Sequence, residues 1–224
     1  DEYHLEPISM HAPTSDMVEQ LIPLANALDM KFIGIGMETM LNDDAVHAFA
    51  GKLNRLGKAC AENGLTLTYH NHTQEFLPCE DKKVVDILME ETDPKYVSFE
   101  LDAGWCAAAG FDPLALVEQY SGRIKLIHVK ESDRVIGPQQ PIDFGSVPKD
   151  EKGMPVLPEE LKRQMEEMDK TNCAAGKGLV DWKVLKETAD RHGCQAYIVE
   201  REYAPEGKRL EYLQADLDYY RTQI

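Results

Sequence analysis

The sequence predicts a single α/β domain built as a parallel (β/α)8 TIM barrel, and three observations lead to this fold class. Short apolar runs alternate with helical patterns, which is typical of βαβ units in a parallel sheet. Charged or imidazole side chains stand near the carboxyl end of nearly every run, where a barrel assembles its site. No glycine-rich dinucleotide fingerprint and no P-loop follows any run, which disfavours an open nucleotide-binding sheet.

The elements follow one another in a regular order along the chain. Strands are predicted over residues 5–11, 31–37, 65–72, 96–105, 124–131 and 196–203. Helices are predicted over residues 14–28, 42–63, 82–91, 112–120, 182–192 and 211–221. Gly64 follows the second helix as a typical C-terminal glycine, and Asp112 with Pro113 marks the start of the fourth. All six strands therefore fit one domain spanning residues 1–224.

The segment 132–178 interrupts the regular alternation of strands and helices. It is rich in proline, carries a helical pattern over residues 159–170, and is long for a connection from a strand to a helix. Because it follows the fifth strand, we expect it to lie over the barrel mouth as a lid or a partner-binding loop. A tolerated insertion without a role is the alternative.

Composition excludes several classes of protein. The chain carries 40 Asp and Glu against 24 Lys and Arg, a net charge of −16, which disfavours binding to nucleic acid or to an anionic membrane surface. No apolar run has the length of a transmembrane helix. Five scattered cysteines without a C-x-x-C pair, and the lack of a signal peptide, predict a cytoplasmic location. The chain opens at Asp1, and we expect preceding residues to be missing.

Four side chains near the strand ends form the main candidate site. They are Glu75, Asp102, His128 and Glu200. Carboxylates with one imidazole suit Mn²⁺, Mg²⁺ or Co²⁺, and Zn²⁺ also fits. A charged side chain on a strand covered by helices must be satisfied, since burying an unpaired charge is prohibitive. A metal ion is the simplest common partner, and ion pairs or solvated strand ends are the alternatives.

Five motifs carry a resemblance to a known family. The segments YHNHTQEF, ELDAGW, GRIKLIHVKE, GLVDW and YIVEREY occur in this order and resemble the sugar phosphate isomerase/epimerase family of xylose-isomerase-like TIM barrels. The resemblance runs from residue 5 to the last helix, with 132–178 as the departure. It matches the run ISMH to the third strand of the family, which implies that the first two βα units are absent from this chain.

The resemblance also implies a set of site residues. It assigns three metal ligands, which are Asp102, His128 and Glu200. The fourth ligand comes from YHNHTQEF, where Glu75 is our choice and His70 or His72 are rivals. Mn²⁺ is the expected metal. Further residues are expected to contact the substrate, namely His11, Trp105, Lys130 and Glu202.

The chemistry implied by the family is proton abstraction next to a sugar carbonyl, which the metal acidifies, to give an enediolate. Glu200, His70 and His72 are the candidate bases. Reprotonation makes the enzyme an isomerase or epimerase. Expulsion of a neighbouring substituent makes it a lyase, for example on a 3-oxo-glycoside.

The sequence of the insertion 132–178 bears on the choice between an isomerase and a lyase. PIDFGSVPKDEKGMP followed by GKGLVDW resembles the larger subunit of bacterial C-glycoside deglycosidases, which implies a glycoside substrate and a small second subunit. We expect an oligomer in either case. A metal-dependent phosphodiesterase, as in the apurinic endonucleases related in fold, is less favoured because of the charge of −16. A non-catalytic sugar-binding barrel is the remaining alternative.

Overall fold

Six strands form one parallel sheet in a computed structural model that describes residues 5–143, 146–149 and 156–224. The strands are β1 (Ser9–Ala12), β2 (Phe32–Ile35), β3 (Thr66–His70), β6 (Val97–Asp102), β7 (Ile124–Val129) and β8 (Ala196–Val199). They pair in chain order, and every pairing is parallel. A small antiparallel hairpin of β4 (Pro78–Cys79) and β5 (Lys82–Lys83) stands apart from the sheet. The predicted parallel α/β architecture is confirmed.

Helices occupy the connections between the strands. They are α1 (Val18–Ala27), α2 (Asp43–Glu62), α3 (Val84–Glu91), α4 (Ala103–Ala108), α5 (Pro113–Gln119), α6 (Glu159–Asp169), α7 (Trp182–Arg191) and α8 (Arg209–Gln223). The insertion contributes α6, whose residues pack no side chain into the core. None of the helices among the described residues is long and apolar enough to cross a membrane.

The fourth strand is shorter than the sequence predicts. The prediction extends it to Trp105, but β6 ends at Asp102 and α4 begins at the next residue. The reason is a helix cap, because the Asp102 side chain accepts a hydrogen bond of 2.7 Å from the backbone N–H of Trp105. The same carboxylate therefore ends the strand and starts the helix.

The sheet is strongly curved, as the distance between side chains on β1 and β7 shows. Four inter-strand intervals of about 4.8 Å would separate β1 from β7 by roughly 19 Å in a flat sheet. The rings of His11 in β1 and His128 in β7 nevertheless stack with centroids 5.7 Å apart. The six strands therefore form an arc of barrel that brings distant strand ends to one mouth.

Close packing of helices on the outside of this arc depends on small residues. Gly57 in α2 lies against the start of β6, and a Cβ atom added there would stand 2.7 Å from the Tyr96 carbonyl oxygen. Gly51 lies in the same helix, and a Cβ atom there would meet nothing within 4 Å. Alanine substitutions at the two glycines therefore compare a tightly packed position with an open one in the same helix.

We expect Gly57→Ala to destabilise the protein by about 1–3 kcal/mol, because α2 must move away from backbone atoms that cannot yield. Gly51→Ala should instead stabilise it by about 0.5–1 kcal/mol, since alanine loses less entropy in a helix. Urea unfolding of the two variants measures both effects. Equal stabilities of the two variants would contradict this packing.

Candidate metal centre

Three of the expected ligands meet at the mouth of the arc. Asp102 ends β6, His128 lies near the end of β7, and Glu200 follows β8 directly. Parallel strands present their carboxyl ends at the same edge, so residues far apart in sequence become neighbours. One donor atom from each of the three lies within 4.8 Å of the others.

Asp102 carries the clearest sign that a cation belongs here. Its side chain is fully buried, and its Oδ2 atom has no hydrogen-bond partner among the described residues. Burial raises the pKa of this carboxyl to about 7, although Lys130 and His128 act against the shift. A buried carboxylate oxygen that accepts no hydrogen bond is costly. The residues present therefore fit a divalent cation at this point.

His128 and Glu200 form an ion pair, with 2.9 Å between Nδ1 and Oε2. Burial acts against the charge on His128, but hydrogen bonds to Glu100 and Glu200 raise its pKa to about 10. Burial likewise opposes the charge on Glu200, but the hydrogen bond with His128 lowers its pKa to about 2. A metal that binds His128 must displace a proton from it, so affinity should rise with pH.

The structure does not bring Glu75 to these three residues. Its carboxylate is fully buried and accepts hydrogen bonds from the Tyr69 hydroxyl at 2.7 Å, the His72 N–H at 2.7 Å and the Gln74 amide at 2.9 Å. Tyr69 and His70 are successive strand residues and point to opposite faces. Because Glu75 contacts Tyr69, which belongs to the hydrophobic core, it lies on the side of β3 away from His70.

His70 is the rival that lies closest to the group. Its Nε2 atom is 3.8 Å from Asp102 Oδ2, and its ring centroid is 4.5 Å from that of His128. Burial and three neighbouring imidazoles hold the pKa of His70 well below its usual value. His70 is therefore neutral, as a metal-binding imidazole must be.

Glu100 was missed as a site residue, although the alternation in FELD places it on the face of Asp102. It is fully buried and contacts His11 Nε2 at 3.0 Å and His128 Nε2 at 2.6 Å. Burial acts against its charge, but these two hydrogen bonds lower its pKa to about 2. His11, expected at the substrate, directs its ring to Glu100. A second group of donors within 4.8 Å of one another comprises His11, His70, Glu100 and His128.

Lys130 and Trp105 stand beside the site. The Lys130 ammonium lies 4.0 Å from the centroid of the Trp105 ring and 3.8 Å from Asp102 Oδ2. It also forms an ion pair with Glu202. Lys130 is almost completely buried, so its positive charge is held at the mouth by these neighbours.

Two cavities that share lining residues lie at the mouth in the described part of the chain. The smaller one, about 300 Å³, is lined by imidazoles and carboxylates that include His11, His70, His72, His128 and Glu200. The larger cleft, about 1220 Å³, shares Met37, His72, Glu200 and Glu202 with it. Three apolar side chains of α6 line this cleft, namely Leu161, Met165 and Met168. The insertion thus forms a wall of the space next to Glu200.

The end of the insertion is tied to the barrel by Glu131, which the sequence analysis did not single out. Its buried carboxylate accepts hydrogen bonds from the N–H groups of Gly176 and Val180 at 3.1 Å and from the Trp182 indole at 2.9 Å. Burial raises the pKa of Glu131, while these hydrogen bonds act against the shift. The segment leading into α7 is therefore fixed to the end of β7.

Comparison with known proteins agrees with this architecture. A family model described as a xylose isomerase-like TIM barrel matches residues 7–223. An inosose dehydratase from Geobacillus thermodenitrificans is 31% identical over 154 residues, which cover 68% of this chain and 46% of that protein. An inosose dehydratase from Lacticaseibacillus casei is 30% identical over 165 residues, or 73% and 49% of the two chains. The chain thus spans about half the length of these curated relatives.

Solved structures share the fold at low sequence identity. A sugar phosphate isomerase/epimerase from Parabacteroides distasonis superposes with a TM-score of 0.73 at 20% identity, over 98% of this chain and 71% of that chain. The IOLI protein, solved with a bound zinc atom, gives 0.64 at 14% identity, over 98% and 78%. The probable 3-DHS dehydratase AsbF from Bacillus anthracis gives 0.60 at 13% identity, over 98% and 77%.

Proposed function

Because the chain belongs to the xylose isomerase-like TIM barrel family, we propose that it is a divalent-metal-dependent enzyme that removes a proton next to the carbonyl of a sugar. The observation that carries this proposal is the Oδ2 atom of buried Asp102, which accepts no hydrogen bond from the described residues and lies beside His128 and Glu200 at the barrel mouth. Relatives named as inosose dehydratases support a polyhydroxylated ring as the substrate.

The residues that would hold the cation are Asp102, His128 and Glu200, with His70 favoured over Glu75 as the fourth ligand because of its distance to Asp102. Mn²⁺ is our first choice for this mixture of carboxylate and imidazole donors, and Mg²⁺, Co²⁺ or Zn²⁺ remain alternatives. A cation bound there would polarise the carbonyl oxygen and so acidify the neighbouring C–H bond.

Among the three candidate bases, the geometry favours His72. It lines both cavities, and burial lowers its pKa, so the imidazole is neutral and able to accept a proton at neutral pH. Glu200 already pairs with His128, and His70 lies deeper, beside Asp102. We assign proton abstraction to His72.

The product of this step, an enediolate, carries new negative charge on oxygen. The Lys130 ammonium is fixed at the mouth by Trp105 and Glu202 and would stabilise that charge without first having to reorganise. His11 and Glu202 line the smaller cavity, and Trp105 lines the cleft, where its ring would stack on the sugar. These residues bind and orient the substrate.

The larger cleft favours a second candidate function, a lyase acting on a substrate with a bulky substituent. Its volume of about 1220 Å³ leaves room for such a substituent beside Glu200. An enediolate that expels a neighbouring group completes an elimination, as in a dehydratase or in cleavage of a 3-oxo-glycoside. A small second subunit and an oligomeric assembly belong to this same proposal.

Proton NMR in D₂O tests the proposal, with Mn²⁺-loaded protein removed before spectra are recorded. Candidate inososes, keto-sugars and a 3-oxo-glycoside are compared. We expect deuterium to enter the carbon next to the carbonyl at least as fast as product forms. An isomerised or epimerised product without deuterium at that carbon indicates a hydride shift and contradicts the proposed proton abstraction. Loss of water or of the glycosidic group, rather than inversion, identifies the lyase.

A further inference from the structure

Glu100 lies behind the proposed ligands and contacts one of them. Its Oε1 atom is 2.6 Å from Nε2 of His128, while the other ring nitrogen of His128, Nδ1, lies 2.9 Å from Glu200 Oε2. The imidazole therefore stands between two carboxylates, one buried behind it and one at the mouth. An imidazole that binds a metal through one nitrogen commonly donates a hydrogen bond from the other.

Residues of two other strands hold Glu100 in this position. Thr68 in β3 donates a hydrogen bond of 2.8 Å to Oε2, and His11 in β1 contacts Oε1 at 3.0 Å. The ring of His11 lies close to the backbone of Gly34 and Gly36, where no side chain occupies the space. A Cβ atom at Gly34 would stand 2.4 Å from His11 Cδ2 and 2.9 Å from Glu100 Oε2, and one at Gly36 would stand 3.0 Å from His11 Nδ1.

We propose that Glu100 is a positioning residue for the metal ligand His128. By accepting the Nε2–H of His128, its carboxylate selects the tautomer whose Nδ1 lone pair faces Glu200. The ring nitrogen that carries the proton is set by the hydrogen bond it makes. This inference rests on the metal site proposed above, and it assigns to Glu100 an effect on metal affinity without contact to the metal.

A second cation held by His11, His70, Glu100 and His128 is the competing interpretation of the same cluster. The contacts favour the positioning role, because both Glu100 oxygens already have partners in His11, His128 and Thr68. A cation there would have to displace these hydrogen bonds. The number of metal ions bound by the protein separates the two interpretations.

The test is a Zn²⁺ titration of the full chain against a chromophoric chelator, comparing wild type with Glu100→Gln. We expect one equivalent in both proteins and an affinity about 10–100-fold weaker in the variant. Asp86→Asn is the control, since Asp86 in α3 is also buried and bonded to Lys83 and Tyr120. Its affinity for Zn²⁺ should equal that of wild type.

A ¹H–¹⁵N spectrum of the Zn²⁺-loaded proteins supplies a readout that a merely structural role would not move. The Nε2–H proton of His128 should resonate far downfield in wild type, where it is donated to the Glu100 carboxylate, and should move upfield in Glu100→Gln, where the acceptor is neutral. If that variant does not fold, Thr68→Val removes only the hydrogen bond to Oε2 and should weaken Zn²⁺ binding to a smaller extent.

Unchanged affinity and an unchanged Nε2–H resonance in a folded Glu100→Gln, or in Thr68→Val if that variant replaces it, overturn the positioning role. Two equivalents in wild type and one in Glu100→Gln overturn it in favour of a second cation site. A wild-type chain that binds no metal overturns the metal site itself, and the positioning role with it.

Discussion

Replacing Asp102 by asparagine is expected to remove bound metal and activity together. The variant keeps the cap on α4, because the amide oxygen still accepts the N–H of Trp105. It replaces the Oδ2 atom, which accepts no hydrogen bond from the described residues, by an uncharged group. Polarisation of a carbonyl by a metal is worth several kcal/mol, so turnover should fall by about 10²–10⁴-fold. Metal analysis after dialysis and initial rates of turnover measure the two effects. Stoichiometric metal in the variant would contradict the ligand assignment.

The stability of the metal-free protein distinguishes loss of a ligand from misfolding. Burial raises the pKa of Asp102 from 3.8 to about 7. The stability this carboxyl contributes is therefore present below its unfolded value and is lost as the pH rises through about 7. Asparagine stays neutral throughout. Relative to wild type, metal-free Asp102→Asn should become more stable between about pH 4 and pH 8, as urea unfolding in a chelator would show. A variant that is less stable than wild type at about pH 8 would point to misfolding.

Much of this site could be predicted because strand alternation and strand ends are local features. The runs FELDAGW, LIHVKE and YIVERE each contain a polar side chain facing a covered sheet, and parallel pairing then brings Asp102, His128 and Glu200 to one edge. The order of the six strands is equally local, since each strand pairs with the next one along the chain.

The ligand from YHNHTQEF could not be chosen from the sequence, because the choice depends on where β3 ends. The strand ends at His70, and a 3₁₀ turn over Gln74–Phe76 follows. That turn directs Glu75 to the Tyr69 hydroxyl at 2.7 Å instead of to Asp102. If β3 were shifted by one residue, the side chains of Tyr69 and His70 would exchange the faces of the sheet to which they point. No local sequence pattern fixes a strand to within one residue.

The role of Glu100 needed long-range geometry. Its contacts join residues 89 positions apart in the case of His11 and 28 in the case of His128. Curvature of the sheet brings His11, Glu100 and His128 together, and the glycines at positions 34 and 36 leave space for the His11 ring. The sequence shows only that Glu100 shares a face with Asp102, which is why its partners remained unknown.

Replacing His72 by glutamine is expected to stop proton exchange while leaving the metal in place. His72 lines both cavities, its Nδ1 atom has no hydrogen-bond partner among the described residues, and its backbone N–H rather than its ring contacts Glu75. Loss of a general base lowers the rate by about 10²–10⁴-fold. Deuterium incorporation from D₂O and metal analysis of the same samples measure the two properties.

His192→Gln is the matched control for this variant. His192 lies at the end of α7, where its ring contacts Ser121, so exchange and metal content should both equal those of wild type. Exchange at the wild-type rate in His72→Gln would contradict the assignment of His72 and indicate that Glu200 or His70 is the base. Those two residues are also candidate ligands, so their variants would lose metal and exchange together. Only a base outside the ligand set permits the two losses to be separated. His72, a rival ligand in the sequence analysis, belongs to neither group of clustered donor atoms among the described residues and so meets this condition.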